Sequence, residues 1–152
     1  MPRIDVDGLK PDSATGYPQR FRDAVAGRSR RRLGSAAGLT GVGINLTTLK
    51  PGAASSQRHW HAAEDEFVYI VSGEVVLCED GGEVVLRPGD AAGFPAGVAN
   101  GHCLVNRGSS DAVYLEIGTR AARERVEYPD IDMRMERDEQ GTRFLHKSGE
   151  AW

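Results

Sequence analysis

The most specific pattern in this chain is Gly52-AASSQR-His59-W-His61-AAED-Glu66-FVYIVS-Gly73. His59 and His61 are two residues apart, so on an extended strand both side chains project from the same face. Glu66 follows a short turn and begins an apolar run. A hairpin at that turn would bring its carboxylate beside both imidazoles. Imidazole and carboxylate are ligands of borderline divalent metals, and the pattern therefore predicts a metal site.

A second motif, Gly89-DAAGF-Pro95-A-Gly97 followed by His102-CLV-Asn106, lies further along the chain. Together the two motifs resemble those of the cupin superfamily, which have Gly, His-x-His, Glu and Gly in the first and Gly, Pro-x-Gly, His and Asn in the second. Every fixed position of the first motif is filled. The resemblance spans residues 42–119 and implies an all-β fold, the cupin jelly-roll (double-stranded β-helix), built as a sandwich or barrel.

The resemblance also implies a fourth metal ligand, in the second motif. The chain has four residues before His102 where the family pattern has two, so the ligand falls on His102 counted back from Asn106 and on Asn100 counted on from Gly97. We favour His102, because imidazole binds such metals far better than a carboxamide does. The predicted metal ligands are His59, His61, Glu66 and His102. They would hold one divalent ion of iron, manganese, nickel, zinc or cobalt; a barrel that has lost its metal is the alternative.

Turn signals divide the single predicted domain into three parts. Residues 1–41 form an N-terminal arm with a short helix predicted over 18–27 and a strand over 28–33. Residues 42–119 form the cupin barrel, because short strands separated by turns at this rate indicate a sandwich or barrel. Residues 120–152 form a C-terminal extension beyond it.

This C-terminal tail is heavily charged but carries regularly placed apolar residues. Met133 and Met135 alternate with charged residues, which predicts an edge strand. We expect the tail to pack on the barrel or on a partner subunit. The alternative is a lid over the barrel mouth, with His146 or Trp152 near the site.

Length and composition agree with a turn-rich all-β domain. The chain has 152 residues with 19 glycines and 7 prolines, and its net charge of −3 argues against a nucleic-acid partner. No apolar run approaches the roughly 20 residues of a membrane span. The N-terminus lacks the apolar segment of a secretory signal, so we expect a cytoplasmic protein. Cys78 and Cys103 are predicted to be free thiols within strands.

Four arginines lie close together in the arm, at positions 28, 30, 31 and 32. A helix-turn-helix does not fit into the sequence that precedes the barrel. We predict a solvated strand paired to the acidic tail. The weaker alternative is an anion-binding entrance for a carboxylated or phosphorylated ligand.

The barrel should enclose a small-molecule pocket beside the metal. If the metal ligands point inward, so should Val68, Ile70 and Leu104, which predicts a largely apolar pocket. Four protein ligands leave open positions on a six-coordinate ion, where a substrate oxygen or O₂ can bind. Nothing identifies a general base; Glu64 and Asp65 are the nearest candidates and are more typical of solvated turn residues.

These observations predict a metal-dependent enzyme, an oxygenase or an isomerase/lyase, acting on a small oxygenated molecule. The alternative is a non-catalytic cupin that binds or senses a small molecule. The outward strand face carrying Phe67, Tyr69 and Val71 is apolar. Because large exposed apolar patches usually mark interfaces, we also expect a homodimer.

Overall fold

The structure, a computed structural model, describes residues 3–152 and is built almost entirely of antiparallel β-strands. The strands are β1 (Arg28–Arg32), β2 (Val42–Leu49), β3 (Trp60–His61), β4 (Glu66–Ser72), β5 (Val75–Glu79), β6 (Gly82–Leu86), β7 (Ala91–Phe94), β8 (Cys103–Val105), β9 (Ala112–Thr119), β10 (Glu124–Tyr128), β11 (Met133–Asp138) and β12 (Gly141–Leu145). Two 3₁₀ turns, Gln19–Phe21 and Asp23–Val25, and one helical turn, α1 (Leu33–Ala36), precede β2. The predicted all-β jelly-roll is confirmed.

Two layers of strands enclose the core. One layer is a five-stranded sheet in the order β1-β2-β9-β4-β7, and the other combines β6-β5-β8 with β12-β11-β10-β3. Backbone hydrogen bonds join these two smaller sheets, because His59 N donates to His102 O at 3.1 Å and His102 N donates to His59 O at 2.8 Å. This junction brings the two sequence motifs side by side.

Alternation along β4 decides what faces the core. Val68 and Ile70 are buried, while Phe67, Tyr69 and Val71 remain 43%, 42% and 46% exposed. The inward residues pack with apolar residues of both layers: Leu49, Ala53, Val75, Leu77, Leu86, Leu104, Ala112 and Tyr114. Burial of such side chains is the main stabilising contribution to the fold.

The turn after β4 requires glycine. Gly73 has φ +70°, and a Cβ there would lie 2.6 Å from the carbonyl oxygen of Asp111. Any other residue would combine an unfavourable backbone conformation with a backbone clash. This is why the first motif ends on a glycine.

The arm and the tail share a second apolar cluster. Tyr17, Phe21 and Val25 of the arm pack with Val126, Tyr128 and Met133 of the tail. The helix predicted over 18–27 is replaced by the two 3₁₀ turns, which still bury Phe21 and Val25. The strand predicted over 28–33 is β1.

The tail extends the second layer of the sandwich. β10 pairs with β3, β11 with β10 and β12 with β11. The prediction that Met133 and Met135 lie on an edge strand is wrong, because β11 has a partner on each side. Division of the chain at residues 42 and 120 stays a prediction.

Cys78 and Cys103 lie opposite each other on β5 and β8, and both are free thiols, as predicted. Burial raises the pKa of Cys103 to about 12. Within residues 3–152, no helix has the length and hydropathy needed to cross a bilayer.

Candidate metal centre

Three imidazoles and one carboxylate converge inside the sandwich. Glu66 Oε2, at the start of β4, lies 2.8 Å from His102 Nε2, 3.3 Å from His61 Nε2 and 3.5 Å from His59 Nε2. The Nε2 atoms of His59 and His61 are 3.1 Å apart. The structure therefore brings together all four side chains that the sequence predicted as metal ligands.

This arrangement fits a divalent metal. Two ligand atoms on neighbouring positions of an ion with bonds of about 2.1 Å lie roughly 3.0–3.4 Å apart. The separations of His61 Nε2 from His59 Nε2 (3.1 Å) and from Glu66 Oε2 (3.3 Å) have this size. The Nε2 atoms of His59 and His61 face each other, so both cannot carry a proton. At least one lone pair therefore points into the cluster, as metal binding requires.

Hydrogen bonds fix the orientation of His59. Its Nδ1 lies 2.9 Å from the carbonyl oxygen of Gln57 and 3.1 Å from Ser56 Oγ. Because the carbonyl can only accept, Nδ1 carries the proton and the lone pair is left on Nε2. Such a carbonyl contact is typical of metal-binding histidines.

A buried carboxylate that the sequence did not reveal stands behind His61. Glu124, on β10, has a fully buried side chain, and its Oε1 accepts hydrogen bonds from the backbone N–H groups of Ala62 (3.1 Å), Ala63 (3.0 Å) and Arg125 (2.6 Å). Its Oε2 lies 3.5 Å from His61 Nδ1, and neither of these two atoms makes a hydrogen bond elsewhere in the described part of the chain. Glu124 is therefore placed to hold the proton of His61 on Nδ1.

Electrostatics in the cluster favour a charged pair. Burial acts to raise the pKa of Glu66, but the nearby imidazoles of His102, His59 and His61 outweigh it and hold that pKa well below its usual value. Burial acts to lower the pKa of His61, but Glu66, Glu124 and Glu64 together raise it. The ring of His102 stacks on Phe94, with 3.6 Å between centroids.

The four residues between Gly97 and His102 form a loop that carries Asn100 away from the cluster. Asn100 Oδ1 accepts a hydrogen bond from Asp80 N at 3.0 Å, and its Nδ2 donates to Glu79 Oε1 at 3.0 Å. Of the two candidates for the fourth ligand, His102 lies beside Glu66 and Asn100 does not.

The two general-base candidates of the sequence serve the scaffold. Glu64 is buried, forms an ion pair with Arg137 and accepts a hydrogen bond from Ala121 N. Asp65 is exposed and accepts a hydrogen bond from Ala96 N. Neither side chain lines the cavity at the cluster.

The cluster opens into a cavity of about 490 Å³. Val68 and Leu104 line it as predicted, while Ile70 is fully buried in the core. The remaining lining is much more polar than predicted, because it includes Arg28, Arg30, Arg32, Tyr114, Glu116 and Arg137. The sequence did not predict that Glu116 and Tyr114 face the cavity, because the outward face of β9 is the more apolar one.

The arginines of β1 do not pair with the acidic tail, so that prediction is wrong. Arg30 pairs with Glu116 at 3.3 Å and Arg32 with Asp12 at 2.5 Å, while Arg28 donates to the carbonyl oxygen of Ser55 at 2.6 Å. All three project to the cavity side of β1, because side chains alternate along a strand.

Only part of the tail borders the cavity. Arg137, Thr142 and Phe144 contribute to its wall. His146 and Trp152 stack on each other at 3.9 Å, and both form hydrogen bonds with Asp132, away from the metal cluster. The tail therefore forms one side of the cavity, and His146 is not among the converging imidazoles.

Similarity to known proteins assigns the chain to a family. The model of the cupin domain matches residues 45–118. A crystal structure of a cupin-superfamily sugar phosphate isomerase from Silicibacter pomeroyi is 44% identical, with a TM-score of 0.95 over 99% of this chain and 96% of that one.

Other structures are more distant. A protein from Acidithiobacillus ferrooxidans, provisionally assigned as a sugar phosphate isomerase, is 34% identical, with a TM-score of 0.75 over 80% of this chain and 77% of that one. A polyketide cyclase from Streptomyces resistomycificus, 19% identical with a TM-score of 0.64 over 78% of this chain and 79% of that one, shares the fold. No curated protein sequence matches. On its full-length likeness to the Silicibacter pomeroyi protein, the chain belongs to the cupin superfamily.

Proposed function

We propose that the protein is a metal-dependent isomerase acting on a small phosphorylated sugar. The observation that carries the proposal is the convergence of three imidazoles and one carboxylate at the wall of a cavity of ligand size. Similarity to the Silicibacter pomeroyi sugar phosphate isomerase supports the reaction and the substrate. The proposed ligands of one divalent ion of iron, manganese, nickel, zinc or cobalt are His59, His61, Glu66 and His102.

A bound ion would supply Lewis-acid chemistry, which polarises a carbonyl and favours loss of a proton from the adjacent carbon. Interconversion of an aldose and a ketose then requires a group that takes this proton and returns it to the neighbouring carbon. Glu116 is the one carboxylate of the described cavity lining that lies outside the metal cluster, and we assign the proton transfer to it.

The surroundings of Glu116 hold it in place. Arg30 Nε and Nη2 each lie 3.3 Å from Oε2, and Asn45 Nδ2 lies 3.2 Å from Oε1. Glu116 lies directly opposite Val68 in the pairing of β9 with β4, so it shares the inward face of the sheet with Glu66. The metal cluster and the proposed base thus face the same cavity.

The test is a panel of pentose and hexose phosphates, followed by proton NMR in D₂O with protein loaded with each metal in turn. We expect interconversion with deuterium incorporated at the carbon next to the carbonyl. His59→Ala should abolish it, and Glu116→Gln should lower kcat by roughly 10²- to 10⁴-fold. Asp65→Asn is the control, since an amide oxygen still accepts from Ala96 N, and it should keep full activity.

Two results would overturn the proposal. If Glu116→Gln turns over as fast as the unmodified protein, Glu116 is not the base. If one sugar phosphate binds stoichiometrically and no metal supports turnover, the protein is a small-molecule-binding cupin instead of an enzyme.

A further inference from the structure

One cation in the cavity wall has no acidic partner. Arg28 is only 5% exposed, and its Nη1 donates to the carbonyl oxygen of Ser55. Across residues 3–152, no carboxylate oxygen lies within the 4.0 Å of an ion pair with its guanidinium. The next inward arginines, Arg30 and Arg32, each have such a partner. Arg28 is therefore a buried charge without an ion-pair partner among these residues.

Such a charge is unusual inside a protein. Removing an ion from water is strongly unfavourable unless a counter-charge or several hydrogen bonds offset it. Burial and the neighbouring Arg30 lower the pKa of Arg28, which shows that its surroundings disfavour the cation. Glu116 is ion-paired with only one of these two arginines, so an anion bound in the cavity would give Arg28 the partner that it lacks.

A second polar group in the same cavity also lacks a partner. The Tyr114 hydroxyl is buried, in a residue 1% exposed, and makes no hydrogen bond to any residue that the structure describes. Burial, followed by Glu116, raises the pKa of Tyr114, so its hydroxyl stays protonated and can donate. Buried polar groups are nearly always hydrogen-bonded, so a missing acceptor is expected here.

We infer that Arg28 and the Tyr114 hydroxyl form an oxyanion subsite, which holds the phosphate of the substrate. A guanidinium donates two parallel hydrogen bonds to a phosphate, and a phenol can donate a third. The strand order β1-β2-β9-β4 puts Arg28 at one side of the sheet and Glu66 three strands away. The phosphate would bind on the arginine side and the reacting carbons near the metal. The assignment of phosphate rests on the proposed function; a carboxylate has the same oxyanion chemistry.

The test is isothermal titration of the full chain with inorganic phosphate, with and without chelator, and with acetate as the carboxylate probe. We expect phosphate to bind without metal, and Arg28→Met to weaken it about 10- to 100-fold, as loss of a charge-assisted pair implies. Arg28→Lys should give an intermediate loss, and Tyr114→Phe roughly a tenfold loss. Arg31→Met is the control and should bind normally, because Arg31 lies on the opposite face of β1, where it donates to the carbonyl oxygen of Leu9 at 3.1 Å.

The outcomes separate this inference from the isomerase proposal. Unchanged phosphate binding in folded Arg28→Lys and Tyr114→Phe protein would refute the subsite, even if sugar phosphates are turned over. Weakened phosphate binding with no turnover of any sugar phosphate would support the subsite and refute the isomerase. Acetate binding more tightly than phosphate would overturn the choice of phosphate.

Discussion

Replacing Glu124 with glutamine should weaken metal binding without disrupting the fold. Three backbone N–H groups point at Oε1 of Glu124, so the glutamine must present its oxygen there and its NH₂ to His61. An N–H facing Nδ1 makes that nitrogen an acceptor, which moves the imidazole proton to Nε2. Nε2 is the atom that faces Glu66, and a protonated nitrogen cannot bind a metal.

The size of the effect follows from this change of tautomer. Loss of an outer carboxylate typically costs 10- to 100-fold in metal affinity, which corresponds to about 1.4–2.8 kcal/mol. Glu64 Oε2 also lies near His61 Nδ1, at 3.9 Å, while Glu64 Oε1 pairs with Arg137. Because this distance is longer than the 3.5 Å from Glu124 Oε2, Glu64 replaces Glu124 only in part.

Competition titration against a chelator of known affinity measures the effect. Glu127→Gln is the matched control, because Glu127 lies on the same strand and points to the other face, where it pairs with Arg125. Thermal melts in excess chelator report whether both variants are folded. Unchanged metal affinity in folded Glu124→Gln protein would refute the role of Glu124.

Three further predictions concern the cluster and the outer surface. His59→Ala or Glu66→Ala protein should lose its metal in elemental analysis after dialysis; near-stoichiometric metal in either would contradict the assigned ligands. Folding raises the pKa of His61, so the stability that this residue contributes is lost as the pH rises through its folded pKa. Folding lowers the pKa of Glu66, so its contribution is lost as the pH falls through its folded pKa. The melting temperature in chelator should therefore be highest between about pH 4.5 and 6.5. Metal-loaded protein should instead gain stability towards pH 8, because the ligands must be deprotonated; the same trend with chelator would argue against this reasoning. We expect a dimer in sedimentation at micromolar concentration, separated by Tyr69→Glu but not by Val84→Glu on the other layer, and a monomeric unmodified chain would exclude it.

The metal cluster was predictable because it depends on short-range spacing. His59 and His61 share a face by strand alternation alone, and one turn brings Glu66 back to them. The contact with His102 depends on pairing between segments far apart in the chain, which only the family resemblance suggested. The two-residue insertion before His102 left both Asn100 and His102 as candidates for the fourth ligand. The contacts of Asn100 with Glu79 and Asp80 distinguish them, because they hold Asn100 away from the cluster.

The polar cavity was not predictable, because hydrophobic alternation indicates the wrong face. On β9, the outward residues Val113, Leu115 and Ile117 are more apolar than the inward Tyr114 and Glu116. The rule that the apolar face of a strand lies inside therefore predicts the wrong inward face for β9. The same rule made the arginines of β1 look solvated. Glu124 escaped notice because its role depends on β10 pairing with β3, a contact across more than 60 residues.

The inward face of the five-stranded sheet explains how one fold combines a stable core with a polar site. The strand register puts Leu49 opposite Ala112, then Thr47 opposite Tyr114, then Asn45 opposite Glu116. Each step of two residues thus moves from the apolar core towards polar side chains. The polar side chains of Tyr114 and Glu116 face the cavity, and the apolar pair of Leu49 with Ala112 keeps the close packing that stabilises the sandwich. Arg28 departs from this gradient, since it lies opposite Leu49, at the apolar end. A charge retained at that depth is difficult to explain by stability and is consistent with the binding of an anion.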